Sequence, residues 1–349
     1  MIKVGFIGAG FIGQLAHLQN YIEIPGCEVA ALAEIRPQLR ERVQKRYGIE
    51  ASYASHLELL ENENIDAVVA VTRRPNTGPI AEACLNAKKH LLTEKPMAGT
   101  FAQAKKLVDI SKEMDVTYSV GYMRRHDAGV QRAKAILEEL QDTKELGEII
   151  FYKGHCFGGE PYCNADGHVV TNELYPDNLL SWPICPEWLP KSFEAKFAWF
   201  LNVYVHNINT MRYLLNRTPK VEYTNFKHQN GQIVAFDFEN FCGVLEIGES
   251  HSRHWDEYFE IYFEKGKLKI QLPNNLLRNA PAKILLYKGQ SEHSLTRIFP
   301  DWSWAFRRQA EAFISDVTLK NRIPICGGED ALADMLLIEE IWNQFIRIV

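Results

Sequence analysis

The chain predicts two domains: an α/β domain on a doubly wound parallel sheet, then an α+β domain on a longer open sheet. Three observations carry this. Up to residue 122, short apolar runs alternate with helical stretches, the pattern of strand–helix–strand units and a parallel sheet. From about residue 123, long segments alternate apolar and polar residues, as strands with one covered face do. The length, 349 residues, is also more than one small core usually serves. The expected boundaries are 1–122 and 123–349.

The first strand is IKVGFI, residues 2–7. It leads into Gly8-Ala9-Gly10-Phe11-Ile12-Gly13, and a helix is expected from about Gln14. A GxGxxG turn between strand and helix is the dinucleotide fingerprint in the setting that gives it meaning. Gly8 permits the tight turn, Gly10 lets a pyrophosphate approach the backbone, and Gly13 lets helix and strand pack closely. Phe11 and Ile12 belong to the same cradle, whose phosphates sit on the helix N-terminus. A second strand, EVAALAE, ends in Glu34, 21 residues after Gly13. A carboxylate there is placed to hold ribose hydroxyls and to repel a 2′-phosphate, which favours NAD over NADP. Arg36, two residues on, partly offsets that repulsion.

The alternation continues. IDAVVAVT (65–72) reads as a buried parallel strand, followed by a helix to about Lys88. HLLTEKP gives another strand end, a helix runs from about Phe101 to Met114, and VTYSVGY (116–122) is one more strand. Together these make a Rossmann domain. Ligands of such sheets bind at the carboxyl ends of the strands, where Thr72, Glu94, Lys95 and Tyr122 fall. By position, Lys95 is either a surface lysine paired with Glu94 or a group at the reacting oxygen, able to shift its pKa when desolvated.

Totals exclude other classes. A net charge of −5 gives no electrostatic footprint for nucleic acid or an anionic membrane. No run approaches the roughly 18 apolar residues of a membrane span. The start of the chain lacks the features of a signal peptide, so a cytoplasmic location is expected. Seven scattered cysteines without CxxC read as free thiols. His155, Cys156, Cys163, His168 and Cys185 match no zinc spacing, so no metal is expected.

With GFIGAGFIG, the acid after the second strand, and above all TEKPMAG, the sequence resembles the glucose–fructose oxidoreductase and inositol dehydrogenase family, Gfo/Idh/MocA. GYMRRHDAGV (121–130) fits the family's Gly-[FY]-x-x-Arg pattern, here Tyr122 and Arg125. LGEII (146–150), AFISDV and CGGEDALADMLLIEEIW extend the likeness over nearly the whole chain. The resemblance implies a large, mostly antiparallel open sheet in the second domain, whose exposed face holds the substrate. It also implies a catalytic role for Lys95 and a homo-oligomer, dimer or tetramer.

A helix around residues 199–216 bears on catalysis. Trp199, Asn202, His206, Asn209 and Tyr213 recur at spacings of three and four and share one face. Leu201, Val205, Ile208 and Leu215 form another, suited to a core. Relatives carry Asp-x-x-x-His on the corresponding helix, so His206 matches a catalytic histidine that faces Lys95 across the nicotinamide. The chain departs from that pattern. Asn202 and Asn209 stand where aspartates are usual, so His206 is expected to be a weaker base, and Asn202 to bind a sugar hydroxyl. The family histidine near Asn76–Gly78 is missing.

The expected reaction is oxidation of a secondary alcohol. His206 removes the hydroxyl proton while Lys95 polarises the oxygen; the reverse assignment stays open. The stretch 151–200 is rich in aromatics and prolines. A long loop in a compact domain is usually functional, and aromatic rings stack on sugar faces. Tyr162, Asn164, Asp166, His168, Trp182 and Trp188 are therefore expected in a wall over the substrate. This points to a sugar, polyol or glycoside, with C3 of a glucosyl unit as a specific candidate. Rivals are an inositol or free-sugar dehydrogenase, a redox-neutral NAD-using glycosidase, and a non-catalytic sugar or NAD sensor.

Overall fold

The computed structural model describes residues 1–61, 64–159, 166–228, 230–251 and 254–348. The elements up to residue 122 follow in the expected alternation. They are β1 (Ile2–Ile7), a helix wound as a π-helix over Gly13–Leu18 and ending in α1 (Gln19–Ile22), β2 (Cys27–Ala33), α2 (Pro37–Tyr47), β3 (Ala51–Tyr53) and α3 (His56–Leu60). Then come β4 (Ala67–Ala70), α4 (Arg74–Asn86), β5 (His90–Thr93), α5 (Phe101–Glu113) and β6 (Tyr118–Val120). Local chemistry sets the ends. Pro37 sits in the first turn of α2 and Gly48 closes it in the left-handed region. Thr100 caps α5 by accepting from the Gln103 N–H.

All six strands run parallel in the order β3-β2-β1-β4-β5-β6. The order reverses between β1 and β4, so their carboxyl ends open the crevice in which such sheets bind ligands. Buried branched and aromatic residues of the strands, Val4, Phe6, Leu32 and Val69, make the core on one side.

The remaining elements are α6 (Ala128–Thr143), β7 (Ile149–Gly158), α7 (Glu194–Val203), α8 (Val205–Leu215), β8 (Lys220–Asn225), β9 (Gln232–Asp237) and β10 (Cys242–Glu249). After them come β11 (Asp256–Phe263), β12 (Gly266–Leu272), β13 (Lys283–Gly289), β14 (His293–Ile298), α9 (Ala305–Thr318) and α10 (Gly328–Ile346). The eight strands form a second sheet in the order β14-β13-β12-β11-β7-β10-β9-β8. Every pairing is antiparallel except β7 with β10, which is parallel. Alternate residues of β7 show the two faces. Tyr152 and Cys156 are buried, while Phe151, Lys153, His155 and Phe157 are partly exposed. A cluster of Phe200, Phe226, Trp342 and Phe345 fills the end near β8, with ring centroids 4.8 to 6.0 Å apart.

The chain divides into two compact units. The first holds the described parts of residues 1–122, 164–198 and 306–335, and the second those of 123–163, 199–305 and 336–349. One division between the units falls after Tyr122. Segments 164–198 and 306–335, expected in the second domain, are counted in the first. For α9 the reason is its apolar stripe. Ala310, Phe313, Ile314 and Val317 enter the core of the parallel sheet with Val4, Phe6 and Leu32. The helix expected over 199–216 is jogged at Tyr204 into α7 and α8. Tyr204 keeps helical dihedrals and its N–H still donates to Phe200 at 2.8 Å, so the path continues.

Candidate active site

The glycine turn has the geometry its sequence requires. Gly8 has φ +94°, and a Cβ there would run into the Val71 carbonyl. A Cβ on Gly13 would stand 2.7 Å from the Gly8 carbonyl oxygen, whereas nothing lies within 4 Å of the Gly10 position. The backbone is therefore open only at the glycine that a pyrophosphate would approach. These residues fit a dinucleotide. Phe11 and Ile12 open the helix that follows.

Glu34 directly follows β2 beside this turn and is 4% exposed. Its Oε2 accepts from the Ala9 N–H at 2.9 Å and from Arg36 Nη2 at 3.1 Å. Its Oε1 accepts from the Arg36 backbone N–H at 3.1 Å and from Arg36 Nε at 2.8 Å. A carboxylate offers about four acceptor positions, so Glu34 is fully engaged, and a ribose hydroxyl must take over a position that Arg36 fills. The cleft itself is lined by Gly8, Gly10, Glu34, Thr72, Arg73 and Tyr175 among others. Thr72, two residues beyond β4, has its hydroxyl 3.2 Å from that of Thr77.

The described part of the aromatic insert lies along this same unit. His168 meets the edge of Phe11, with centroids 5.2 Å apart. Val169 exchanges two hydrogen bonds with the Gln14 side chain, at 2.8 and 3.0 Å. Glu173 accepts from the Gln38 and Leu39 N–H groups at 2.8 and 2.9 Å, capping α2. The ring of Tyr175 meets two guanidiniums, 4.3 Å from Arg36 and 4.9 Å from Arg73. The Trp182 N–H donates to Pro75 at 2.8 Å, and its indole lies where a Cβ on Gly78 would be. Trp182 is thus seated on α4. Trp188 is 39% exposed. Tyr162 and Asn164 lie outside the described residues.

Glu94 and Lys95 follow β5, and the Lys95–Pro96 peptide is cis. Burial alone would raise the Glu94 carboxyl. The hydrogen bond and charge of His17, whose Nε2 is 2.6 Å from Oε1, together with Lys95, hold it below the ordinary carboxylate value. Glu94 Oε2 accepts from the Lys95 N–H at 3.1 Å. Burial lowers the pKa of the Lys95 ammonium; Glu94 opposes this and Arg74 adds to it. A lysine so poised can donate to an oxygen or release its proton more readily than a surface lysine. Tyr122, beyond β6, is fully buried.

In the second unit, His206 lies in the first turn of α8 and is 9% exposed. Asn202, on α7, and Tyr213 are half-buried. Asn209 is fully buried. It accepts from Arg125 Nε at 2.8 Å through Oδ1, and from Arg125 Nη2 at 3.1 Å through its carbonyl. Arg125 also lies 5.1 Å over the Tyr213 ring. Beside this, Arg124 Nη2 donates to Glu257 on β11 at 2.5 Å, both side chains being nearly fully buried. Glu257 also accepts from Asn207 Nδ2 at 3.1 Å and Trp255 Nε1 at 2.8 Å. This network fixes α8 against the sheet one residue from His206.

The sequence reading missed His17, Tyr175 and the Arg124–Glu257 pair. His17 was legible as a polar residue one turn after Gly13. Tyr175 and Glu257 carry no local signal, because their partners are distant in the chain. Among the described residues no group of three or more His, Cys, Asp or Glu is placed to hold a metal ion, and no helix is long and apolar enough to cross a membrane.

The Gfo/Idh/MocA model, an oxidoreductase family with an NAD-binding Rossmann fold, matches residues 2–122. An inositol 2-dehydrogenase from Rubrobacter xylanophilus is 31% identical over 255 residues, 71% of this chain and 67% of that protein. A myo-inositol 2-dehydrogenase from Thermotoga maritima is 29% identical over 137 residues, 39% of this chain and 41% of that protein. Among solved structures, a 3-ketoreductase from Actinomadura kijaniata in complex with NADP and TDP-benzene superposes with a TM-score of 0.75 at 18% identity. That match covers 98% of this chain and 97% of the other, a likeness of fold. The chain belongs to the Gfo/Idh/MocA family and is a nicotinamide-dependent dehydrogenase acting on CH–OH groups.

Proposed function

We propose that the protein oxidises a secondary hydroxyl of a sugar or glycoside with NAD. The observation that carries this is Lys95. It stands at a strand end of the nucleotide-binding unit, with its pKa lowered by burial and its neighbour Glu94 pinned by His17. Bound NAD supplies the hydride acceptor. Lys95 donates to the carbinol oxygen and stabilises the developing alkoxide. His206 takes the hydroxyl proton as general base, and Asn202 binds a neighbouring hydroxyl. Glu34 supports NAD over NADP, because its buried carboxylate opposes a 2′-phosphate and Arg36 is already engaged with it. A homo-oligomer is the expected state.

Trp182 and His168, expected in a wall over the substrate, both contact the nucleotide-binding unit. C3 of a glucosyl unit remains the specific candidate. The inositol 2-dehydrogenases among the relatives favour a second reading, oxidation of a free cyclitol. The test is a single-turnover assay at high protein concentration, with NAD restored and inositols, free sugars and aryl glycosides offered in turn. Reduction of nicotinamide by glycosides alone supports C3 oxidation, and reduction by inositols moves the substrate to cyclitols. No reduction by any compound, with NAD bound, would overturn the dehydrogenase proposal for these substrate classes.

A further inference from the structure

Two arginines stand near Glu34, and only one of them faces the cleft. Arg73 lines it together with Glu34, Ile35 and Tyr175, whereas Arg36 is not among the described residues that do. The Arg36 side chain is 13% exposed, and Glu34 engages its Nε and Nη2 at 2.8 and 3.1 Å. Its Cζ lies 4.3 Å from the centre of the Tyr175 ring. A guanidinium donates only within its own plane. A carboxylate that takes two of its nitrogens and a ring that attracts its charge therefore fix its place and the direction of its donors. Tyr175 is itself anchored there. Glu173, two residues earlier, accepts from the Gln38 and Leu39 N–H groups at 2.8 and 2.9 Å, in the first turn of the helix whose N-cap is Arg36.

We propose that Tyr175 determines dinucleotide specificity: its ring keeps the Arg36 guanidinium from turning to a 2′-phosphate on the adenosine ribose, so that the site takes NAD in preference to NADP. The inference rests on the NAD reading given above. An arginine two residues after the acid is, by itself, a counter-charge for that phosphate. Glu34 and Tyr175 hold it jointly, one by its nitrogens and the other by its charge, and loss of either frees it. The ring matters most once a nucleotide arrives. A ribose hydroxyl takes a position on Glu34 that Arg36 fills, which loosens the ion pair, and the attraction of the ring is untouched by that exchange. Glu34 thus repels the phosphate, and Tyr175 withholds the charge that would cancel the repulsion. Arg73 already faces the cleft with the ring in place, so any gain in NADP binding on loss of the ring is assigned to Arg36.

The experiment is calorimetric titration of the nucleotide-free full chain with NAD and with NADP. It compares the wild type with Tyr175→Leu, Tyr175→Phe, and Tyr175→Leu combined with Arg36→Gln. Leucine keeps an apolar side chain in the wall and removes the attraction for a cation, whereas phenylalanine keeps the ring. The expected result is a wild type that prefers NAD. In Tyr175→Leu, NADP binding should tighten about tenfold relative to NAD. Tyr175→Phe should stay within about threefold of the wild-type ratio, and the double variant should lose the gain. Should Tyr175→Leu not fold, Tyr175→Met carries the comparison. Equal weakening of both dinucleotides in Tyr175→Leu would show a packing role only and overturns the inference. An unchanged ratio overturns it as well, as does a gain that survives Arg36→Gln; in each case the NAD reading stands. A wild type that binds NADP as tightly as NAD overturns that reading and this inference together.

Discussion

Replacing Glu34 with alanine should reverse the dinucleotide preference. The carboxylate is buried at the cleft and receives two donors on each oxygen, one from Ala9 and three from Arg36. A hydrogen bond to an ionised acceptor contributes about 1.5–3 kcal/mol, so NAD binding should weaken roughly 10- to 150-fold. The opposite effect acts on NADP. Two unit charges on the order of 5 Å apart in an effective dielectric of about 20 repel by about 3 kcal/mol. Halving this for solvent screening leaves about 1.5 kcal/mol per charge, and a phosphate carries between about one and two. The variant also frees the Arg36 guanidinium to meet that phosphate. The two effects add to about 3–6 kcal/mol, a change of about two to four orders of magnitude in the ratio of dissociation constants. Calorimetric titration of the nucleotide-free protein with NAD and NADP measures that ratio. A folded variant whose ratio moves by less than about fivefold would refute the assignment of Glu34.

Three further substitutions test separate parts of the structure. Lys95→Met should reduce turnover about 10²- to 10⁴-fold while dinucleotide binding persists; retained turnover would point to another donor. The same variant should be more heat-stable than the wild type at neutral pH. The folded-state pKa of Lys95 lies below its unfolded value near 10.4, so the cost of its buried charge is full below the folded value and disappears as pH rises toward the unfolded one. Melting temperatures at pH 7 and pH 10 should therefore show the gap closing, and a gap that widens with pH contradicts the argument. Glu257→Gln leaves the buried Arg124 guanidinium without its counter-charge, a loss of about 3–5 kcal/mol or a melting shift on the order of 10 °C; a loss below about 1 kcal/mol would show the pair to be unimportant. Gly78→Val drives a side chain into the Trp182 indole, so limited proteolysis should cut within residues 168–184 faster than in the wild type; an unchanged cleavage rate would mean the indole is not an anchor.

The sequence by itself determined what local pattern can encode. Gly8, Gly10 and Gly13 are read from the backbone freedom a strand-to-helix turn demands, and Glu34 and Lys95 from their positions at the ends of apolar runs. The alternation of Lys153, Phe157 and their neighbours with buried residues marks a sheet with one covered face, because periodicity records which side of an element is buried. It does not record what covers that side. Only the tertiary structure decided that β7 pairs in parallel with β10, that α9 completes the core of the first sheet, and that the aromatic insert borders the nucleotide cleft. The polar face of α8 shows the same limit. Its spacing marked Asn209 as facing something other than an apolar core, and the fold supplied Arg125, 84 residues away in sequence. Such contacts arise where distant segments meet in the fold, and no residue of 203–211 specifies its partner.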